Sequence, residues 1–219
     1  MRAPRAQHGA VSARAGVTQL MTDPVLIAIT DLDGCTEQRL LERWEALASA
    51  AAPGTVAIQL RGQHRPARPL LELGRRLRAT ATAFGQWLIV NDRLDLAVLL
   101  EADAAHLGEA SVQTHDARRL IGDRPVFRAC HDPQAALSSD ADAVLLSPVF
   151  DARKGRPPLG LAALQRAAAG RARVYALGGV TSENAAACRA NGAAGVAAIG
   201  AVFGDTNPRA LIRALGIAR

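Results

Sequence analysis

Repetition of one local pattern limits what this chain can fold into more than any other feature. Short apolar runs occupy residues 25–30, 55–60, 87–90, 104–107, 126–129, 143–146, 174–177 and 195–199. Stretches with helical spacing follow them, at 36–52, 69–83, 93–101, 114–121, 133–138, 161–169, an Ala-rich segment after Asn184, and 207–215. In the first of these, Leu40, Leu41, Trp44, Leu47 and Ala48 share one face, the stripe that a helix buries. No hairpin signal such as Asn-Gly joins adjacent runs. Strands that alternate with helices form a parallel sheet. Eight such units in about 195 residues predict one closed (β/α)8 barrel, a TIM barrel near the small end of its size range. A doubly wound open sheet is the alternative, but no Gly-x-Gly-x-x-Gly follows the first run.

Composition agrees. A 219-residue chain that is 49% apolar can fill a core without staples. Aromatics make up only 3%, which leaves Ala, Leu and Val to build that core. Cys35, Cys130 and Cys188 are widely spaced and form no C-x-x-C pair, so neither a zinc site nor a disulfide framework is expected, and a cytoplasmic location fits best. No apolar run reaches the length of a membrane span. The net charge of +6 lies on Arg residues interleaved with Ala and Leu, not in a basic stripe with aromatics. That pattern argues against nucleic acid as a partner and for a basic mouth that takes an anionic metabolite.

Two apolar runs near the end of the chain close on glycine. The first is Val174-Tyr-Ala-Leu-Gly-Gly-Val-Thr-Ser-Glu-Asn184, and the second is Gly195-Val-Ala-Ala-Ile-Gly-Ala-Val-Phe203. Glycine lets a ligand oxygen approach the backbone, and the free N–H groups at a helix start favour anions. Thr181 or Ser182 is expected to cap the helix after the first run. On neighbouring parallel strands the two loops, Gly178-Gly179 and Ile199-Gly200, open on the same side and can share one phosphate.

Other polar residues also fall at the carboxyl ends of strands: Asp31, Gln59, Arg61, Asn91, Asp92, His131, Ser147 and Lys154. In a barrel these ends converge on one mouth, where function resides. Asp31 and the Asn91-Asp92 pair could instead cap helices, and His106, inside a strand, reads as a satisfied core histidine. Asp92 offers one carboxylate to a magnesium ion that carries a diphosphate, and Glu109 is the acid placed to be a second. His131 has the chemistry to move a proton near neutral pH.

These segments resemble a known family. Asn91-Asp-Arg-Leu-Asp-Leu-Ala97, Ala105-His-Leu-Gly108, Pro148-Val-Phe150, Pro158-Leu-Gly-Leu161, Leu177-Gly-Gly-Val-Thr-Ser-Glu-Asn184 and Gly195-Val-Ala-Ala-Ile199 look like thiamine phosphate synthase and its TenI relatives. The resemblance runs in order from about Leu26 to Pro208 and implies the same barrel. It implies a small phosphorylated thiazole, and in the synthase also a pyrimidine methyl diphosphate, as substrates. By that resemblance Gln59, Arg61, Asn91, Lys154, Gly178 and Gly179 are substrate- and phosphate-binding residues. Ile199 and Gly200 join them, with Gly200 where the family usually has serine. Asp92 is a magnesium ligand if the chain is synthase-like.

The match is uneven. The family's Gln-Leu-Arg-Glu-Lys is Gln59-Leu-Arg-Gly-Gln63 here, which removes a lysine. The second acidic magnesium position falls on Ser111, a family serine is Ala129, and the loop before Lys154 is shortened to Asp151-Ala-Arg153. All four changes touch the diphosphate half. They favour the TenI-like branch, a thiazole tautomerase that needs no metal and uses His131 to aromatise a carboxythiazole phosphate. A divergent synthase, with magnesium and with Arg153 or Arg156 on the diphosphate, is the alternative. A third reading is a non-catalytic regulator that binds thiazole or thiamine phosphate. Oligomeric state is left open.

Residues 1–22 fall outside the resemblance. They carry Arg2, Arg5 and Arg14, lack the apolar core of a secretory signal and read as a disordered basic tail before a barrel over 23–219. Met21, just before the first strand, is the expected older start. N-terminal sequencing of the native protein should then find little chain beginning at Arg2, and a major Arg2 terminus contradicts this.

Overall fold

The computed structural model describes residues 23–62, 64–153, 155–204 and 207–219. The expected tail, Gln63 and Lys154 lie outside the described residues. The elements alternate as β1 (Leu26–Ile29), α1 (Glu37–Ala50), β2 (Val56–Leu60), α2 (Ala67–Phe84), β3 (Trp87–Asn91), α3 (Leu94–Leu99), β4 (Ala104–Leu107) and α4 (Thr114–Ile121). They continue as β5 (Val126–Cys130), α5 (Pro133–Leu137), β6 (Ala143–Leu146), α6 (Gly160–Ala167), β7 (Arg173–Leu177), α7 (Ala185–Ala190), β8 (Gly195–Ala198), α8 (Gly200–Phe203) and α9 (Arg209–Ala214). Every strand pairs in parallel with its neighbour in sequence, and β1 closes on β8 through Leu26 opposite Val196. The expected eight-stranded barrel is present. The short α8 is an addition: one turn, opened by Gly200, that the helical spacing of 207–215 did not reveal.

Strand side chains alternate between two layers. One set faces the helices. The other points into the barrel, where Ile27, Ile29, Ala57, Trp87, Ile89, Ala104, Phe127, Ala143, Leu145, Tyr175 and Ala197 form a separate cluster. Three large rings are matched by four alanines, which lets a narrow cylinder fill without voids. Phe127 and Tyr175 pack with ring centroids 5.6 Å apart, and the buried Tyr175 hydroxyl donates to the Pro24 carbonyl at 2.8 Å. The scarce aromatics therefore plug the barrel, while Ala, Leu and Val build the layer between sheet and helices. Aromatics also enter that layer, with Phe203 buried in it, Phe84 and Phe150 packed against it, and Trp44, whose Nε1–H donates to the Leu77 carbonyl at 3.2 Å and joins α1 to α2.

The plug leaves only the upper layer of inward positions for chemistry. Gln59, Asn91, His106, Ala129, Ser147 and Leu177 continue the inward alternation beyond it and line the mouth. On the opposite side of the plug, Gly195 leaves no room: a Cβ there would lie 2.4 Å from the Val25 carbonyl oxygen and 2.8 Å from the Tyr175 ring. Gly195→Ala should destabilise the fold by about 1–3 kcal/mol. Urea unfolding checks this: the midpoint should fall with an unchanged slope, and an unchanged midpoint contradicts the tight floor.

Candidate active site

The mouth holds a cavity of about 650 Å3. Its deepest polar group is a relay across three strands. Asn91 Nδ2 donates to Asp92 Oδ2 at 2.8 Å, which fixes Asn91 Oδ1 as the outward oxygen. That oxygen accepts from Gln59 Nε2 at 3.0 Å and lies 2.7 Å from His106 Nδ1. An amide oxygen only accepts, so His106 carries its proton on Nδ1. Burial pushes the His106 pKa down to about 4, against a smaller opposing pull from Asp92, so the ring is neutral and Nε2 holds a lone pair.

Two acceptors remain over. His106 Nε2 and Gln59 Oε1 are buried and have no hydrogen-bond partner. Both residues line the cavity. Such atoms are costly to bury unless something donates to them. The expectation that His106 is a satisfied core histidine is corrected here: only one of its two nitrogens is satisfied. Its place at the end of β4, one strand from Asn91, was the available signal.

Asp92 is not the helix cap that was the alternative reading. Its φ is 56°, the left-handed region, and α3 starts after Arg93. The strained turn aims the carboxylate back over the barrel, where Asp92 Oδ1 accepts the Gly108 N–H at 2.8 Å. Arg61 is anchored through its backbone, whose N–H donates to the Thr30 hydroxyl at 2.9 Å. Arg93 is engaged by Asp95, an ion pair that raises its pKa.

His131 follows β5. Its Nδ1 lies 2.6 Å from the Ser147 carbonyl oxygen, so the proton sits there and Nε2 is the basic nitrogen. Nε2 stands 3.7 Å from Glu109 Oε2, the oxygen that also takes Arg156 at 3.0 Å. Glu109 is thus held by Arg156, with the His131 ring nearby, and is not paired with Asp92. Among the described residues no three His, Cys, Asp or Glu side chains gather as a metal site. The Arg156–Glu109 pair is 42% and 55% exposed, so it is worth about 0–1 kcal/mol and is readily given up.

The glycine loops lie beside this cavity, around a second hollow of about 370 Å3 lined by Gly178, Gly179, Ile199 and Gly200. Gly178 and Gly179 have φ of 97° and 70°. A Cβ on Gly178 would come 3.0 Å from the Pro148 backbone, so the loop needs glycine for space as well as conformation. The expected Thr181 cap is met in part: its hydroxyl accepts the Glu183 N–H at 3.3 Å and its carbonyl the Ala185 N–H at 3.1 Å, while Asn184, just before α7, holds the loop. Its Oδ1 accepts the Thr181 N–H at 2.9 Å, and its Nδ2 donates to the Gly179 carbonyl at 2.9 Å. Gly200 opens α8, where a first-turn N–H has no acceptor within the helix. A Cβ on Gly200 meets nothing within 4 Å, so serine would fit and glycine is not demanded there.

The structure therefore gathers Gln59, Arg61, Asn91, Asp92, His131, Gly178 and Ile199 around one cavity, with Gly179 and Gly200 in the adjoining hollow. His106, Glu109, Arg153 and Arg156 line the same cavity. Acceptors, cations and glycine amides around an apolar floor make a barrel mouth with the chemistry to take a small anionic molecule that carries hydrogen-bond donors.

Comparison with known proteins is consistent with that class. The family model for thiamine monophosphate synthase matches residues 26–202, and the chain belongs to this thiamine phosphate synthase/TenI family. It is 39% identical to a putative thiamine-phosphate synthase of Geobacter sulfurreducens over 175 residues, 76% of this chain and 82% of that protein. It is 34% identical to the thiamine-phosphate synthase of Thermus thermophilus over 202 residues, 89% of this chain and 96% of that one. The structure of a thiamine phosphate pyrophosphorylase from Pyrococcus furiosus superposes with a TM-score of 0.76, covering 90% of this chain and 98% of that one at 24% identity, a likeness of fold. No helix among the described residues is long and apolar enough to cross a membrane.

The depressed His106 pKa has a sign. The unfolded ring takes up a proton near pH 6.5 and the folded ring only near pH 4, so stability is full above about pH 6.5 and falls as pH drops toward 4. The loss is on the order of 3 kcal/mol. An NMR titration should keep the His106 ring neutral, with its proton on Nδ1, down to near pH 4. A midpoint at the ordinary 6.5 contradicts the assignment.

Proposed function

We propose that this protein is a thiamine phosphate synthase, which couples a pyrimidine methyl diphosphate to a thiazole phosphate and releases diphosphate. The observation that carries this reading is the pair of unsatisfied acceptors, Gln59 Oε1 and His106 Nε2, buried in the mouth. The pyrimidine of thiamine bears an exocyclic amine with two N–H donors, and two unsatisfied acceptors in one mouth suit it. A thiazole phosphate alone supplies no such donor. The reading is supported by the relatives from Geobacter and Thermus, whose names are those of synthases.

In this account Gln59 and His106 seat the pyrimidine ring and Asn91 sets their orientation. The diphosphate lies toward Arg61 and Arg156, over Asp92. Magnesium suits this arrangement with Asp92 as its one carboxylate ligand, the remaining positions being taken by substrate oxygens and water. The ion would neutralise charge on the leaving diphosphate. Loss of diphosphate leaves a pyrimidine carbocation, which the thiazole nitrogen captures. The apolar lining of Ile29, Ala129, Leu177 and Ile199 keeps competing water away from the cation. The glycine amides, with Lys154 by family resemblance, hold the thiazole phosphate.

One observation favours the tautomerase as a second reading. His131 presents a basic Nε2 to the cavity, with Nδ1–H held by the Ser147 carbonyl, a geometry suited to proton transfer on carbon. That reading leaves the two acceptors unused.

A coupling assay with both substrates and magnesium separates the two. Thiamine phosphate should form, and Gln59→Leu should lower kcat/KM by about 10- to 100-fold, as expected when a buried hydrogen bond is lost. Affinity for thiazole phosphate should stay within about twofold of wild type. Absence of thiamine phosphate, together with aromatisation of carboxythiazole phosphate that depends on His131, would reject the synthase in favour of the tautomerase.

A further inference from the structure

The free mouth places carboxylates of its own against the groups best suited to bind phosphoryl oxygens. Glu109, on the loop after β4, takes Arg156, on the loop between β6 and α6, at 3.0 Å. Asp151, at the start of the same β6–α6 loop, lies against Gly179. A Cβ on Gly179 would be 2.5 Å from the Asp151 Cγ and within 2.8 Å of both its oxygens, so the carboxylate fills the space over the glycine loop. Between the two contacts the loop is a tight turn. Arg153 and Arg156 exchange backbone N–H···O bonds of 3.0 Å each, and Gly155 turns at φ 74°. The loop is thus bonded to an acid at Arg156 and lays its own acid, Asp151, over Gly179, at the two places where an incoming substrate would put its negative charge.

We propose that Glu109 and Asp151 are built-in competitors that occupy the anion subsites of the free protein: Glu109 holds Arg156 until a diphosphate takes it, and Asp151 covers the Gly179 loop until a phosphate displaces it. The inference rests on the reading of the mouth as a site for these two groups. It assigns Arg156 as the cation on the diphosphate that replaces the lysine missing at Gln63. It also reverses the role expected of Glu109. As a metal ligand Glu109 would strengthen diphosphate binding, whereas as a competitor it weakens it. The exposed Glu109–Arg156 pair is cheap to open, Asp151 is exposed, and a bidentate guanidinium contact with a doubly ionised phosphoryl group is stronger than one with a carboxylate.

The opposite signs make the test direct. Inorganic diphosphate and inorganic phosphate are titrated calorimetrically into the full-length protein, with and without magnesium. Glu109→Gln should bind diphosphate about tenfold more tightly than wild type, and Asp151→Asn should bind phosphate about tenfold more tightly. Arg156→Gln should weaken diphosphate binding by about tenfold, and adding Glu109→Gln to it should bring no further gain. Weaker or unchanged diphosphate binding in Glu109→Gln, or no measurable binding to any variant, overturns the proposal. The coupling assay is scored separately. Tighter binding in both acid variants with no thiamine phosphate formed would sustain the competitors and reject the synthase alone.

Discussion

The Asn91 side-chain amide is the contact on which the mouth of this barrel depends. Its oxygen gathers donors from β2 and β4, and its nitrogen holds Asp92 on the turn that leaves β3. Each amide atom has one chemical role, so the whole relay has one polarity. Gln59 and His106 must donate inward to Asn91, and their other polar atoms are therefore acceptors. Burial then keeps His106 neutral, which preserves its acceptor. The chemical preference of the site follows from the placement of one side chain at the end of β3.

The anion side of the mouth is built differently. It relies on backbone geometry at Gly178 and Gly179, and on cations held by weak, solvent-exposed pairs. The side built from Gln59, Asn91 and His106, proposed above to seat the pyrimidine, is buried, with a left-handed backbone at Asp92 held by the contacts around it. The phosphate side is polar, open and exchangeable. That division suits the proposed reaction, in which a ring is seated and a diphosphate released.

Much of the fold was legible in the sequence because a parallel barrel repeats its signal with every unit. The period of apolar runs and the lack of hairpin turns were sufficient for eight parallel strands. The one-turn α8 was not legible, because the four residues Gly200–Phe203 cannot display helical periodicity. Neither was the ring plug of Trp87, Phe127 and Tyr175, since strand residues buried on both faces read alike from composition. At the site, residues at strand ends were found by position alone: Gln59, Asn91, Asp92 and His131 all reach the mouth. His106 was missed because a histidine flanked by apolar neighbours reads as core. The partner of Glu109 was not legible, because side-chain direction in a loop is set by its tertiary neighbours, here Arg156, 47 residues away. The weight given to losses at Gln63, Ser111 and Ala129 also favoured the tautomerase, whereas the retained relay and the named relatives favour the synthase.

The account is tested most directly by asking whether the buried acceptors prefer an amine. Binding of the aminopyrimidine methyl diphosphate is compared with that of its analogue in which the exocyclic amine is replaced by hydrogen, in the presence of magnesium. The amine should bind at least about tenfold more tightly, with the difference abolished in Gln59→Leu. Equal affinity for the two compounds would contradict the assignment of Gln59 Oε1 and His106 Nε2, and with it the synthase reading.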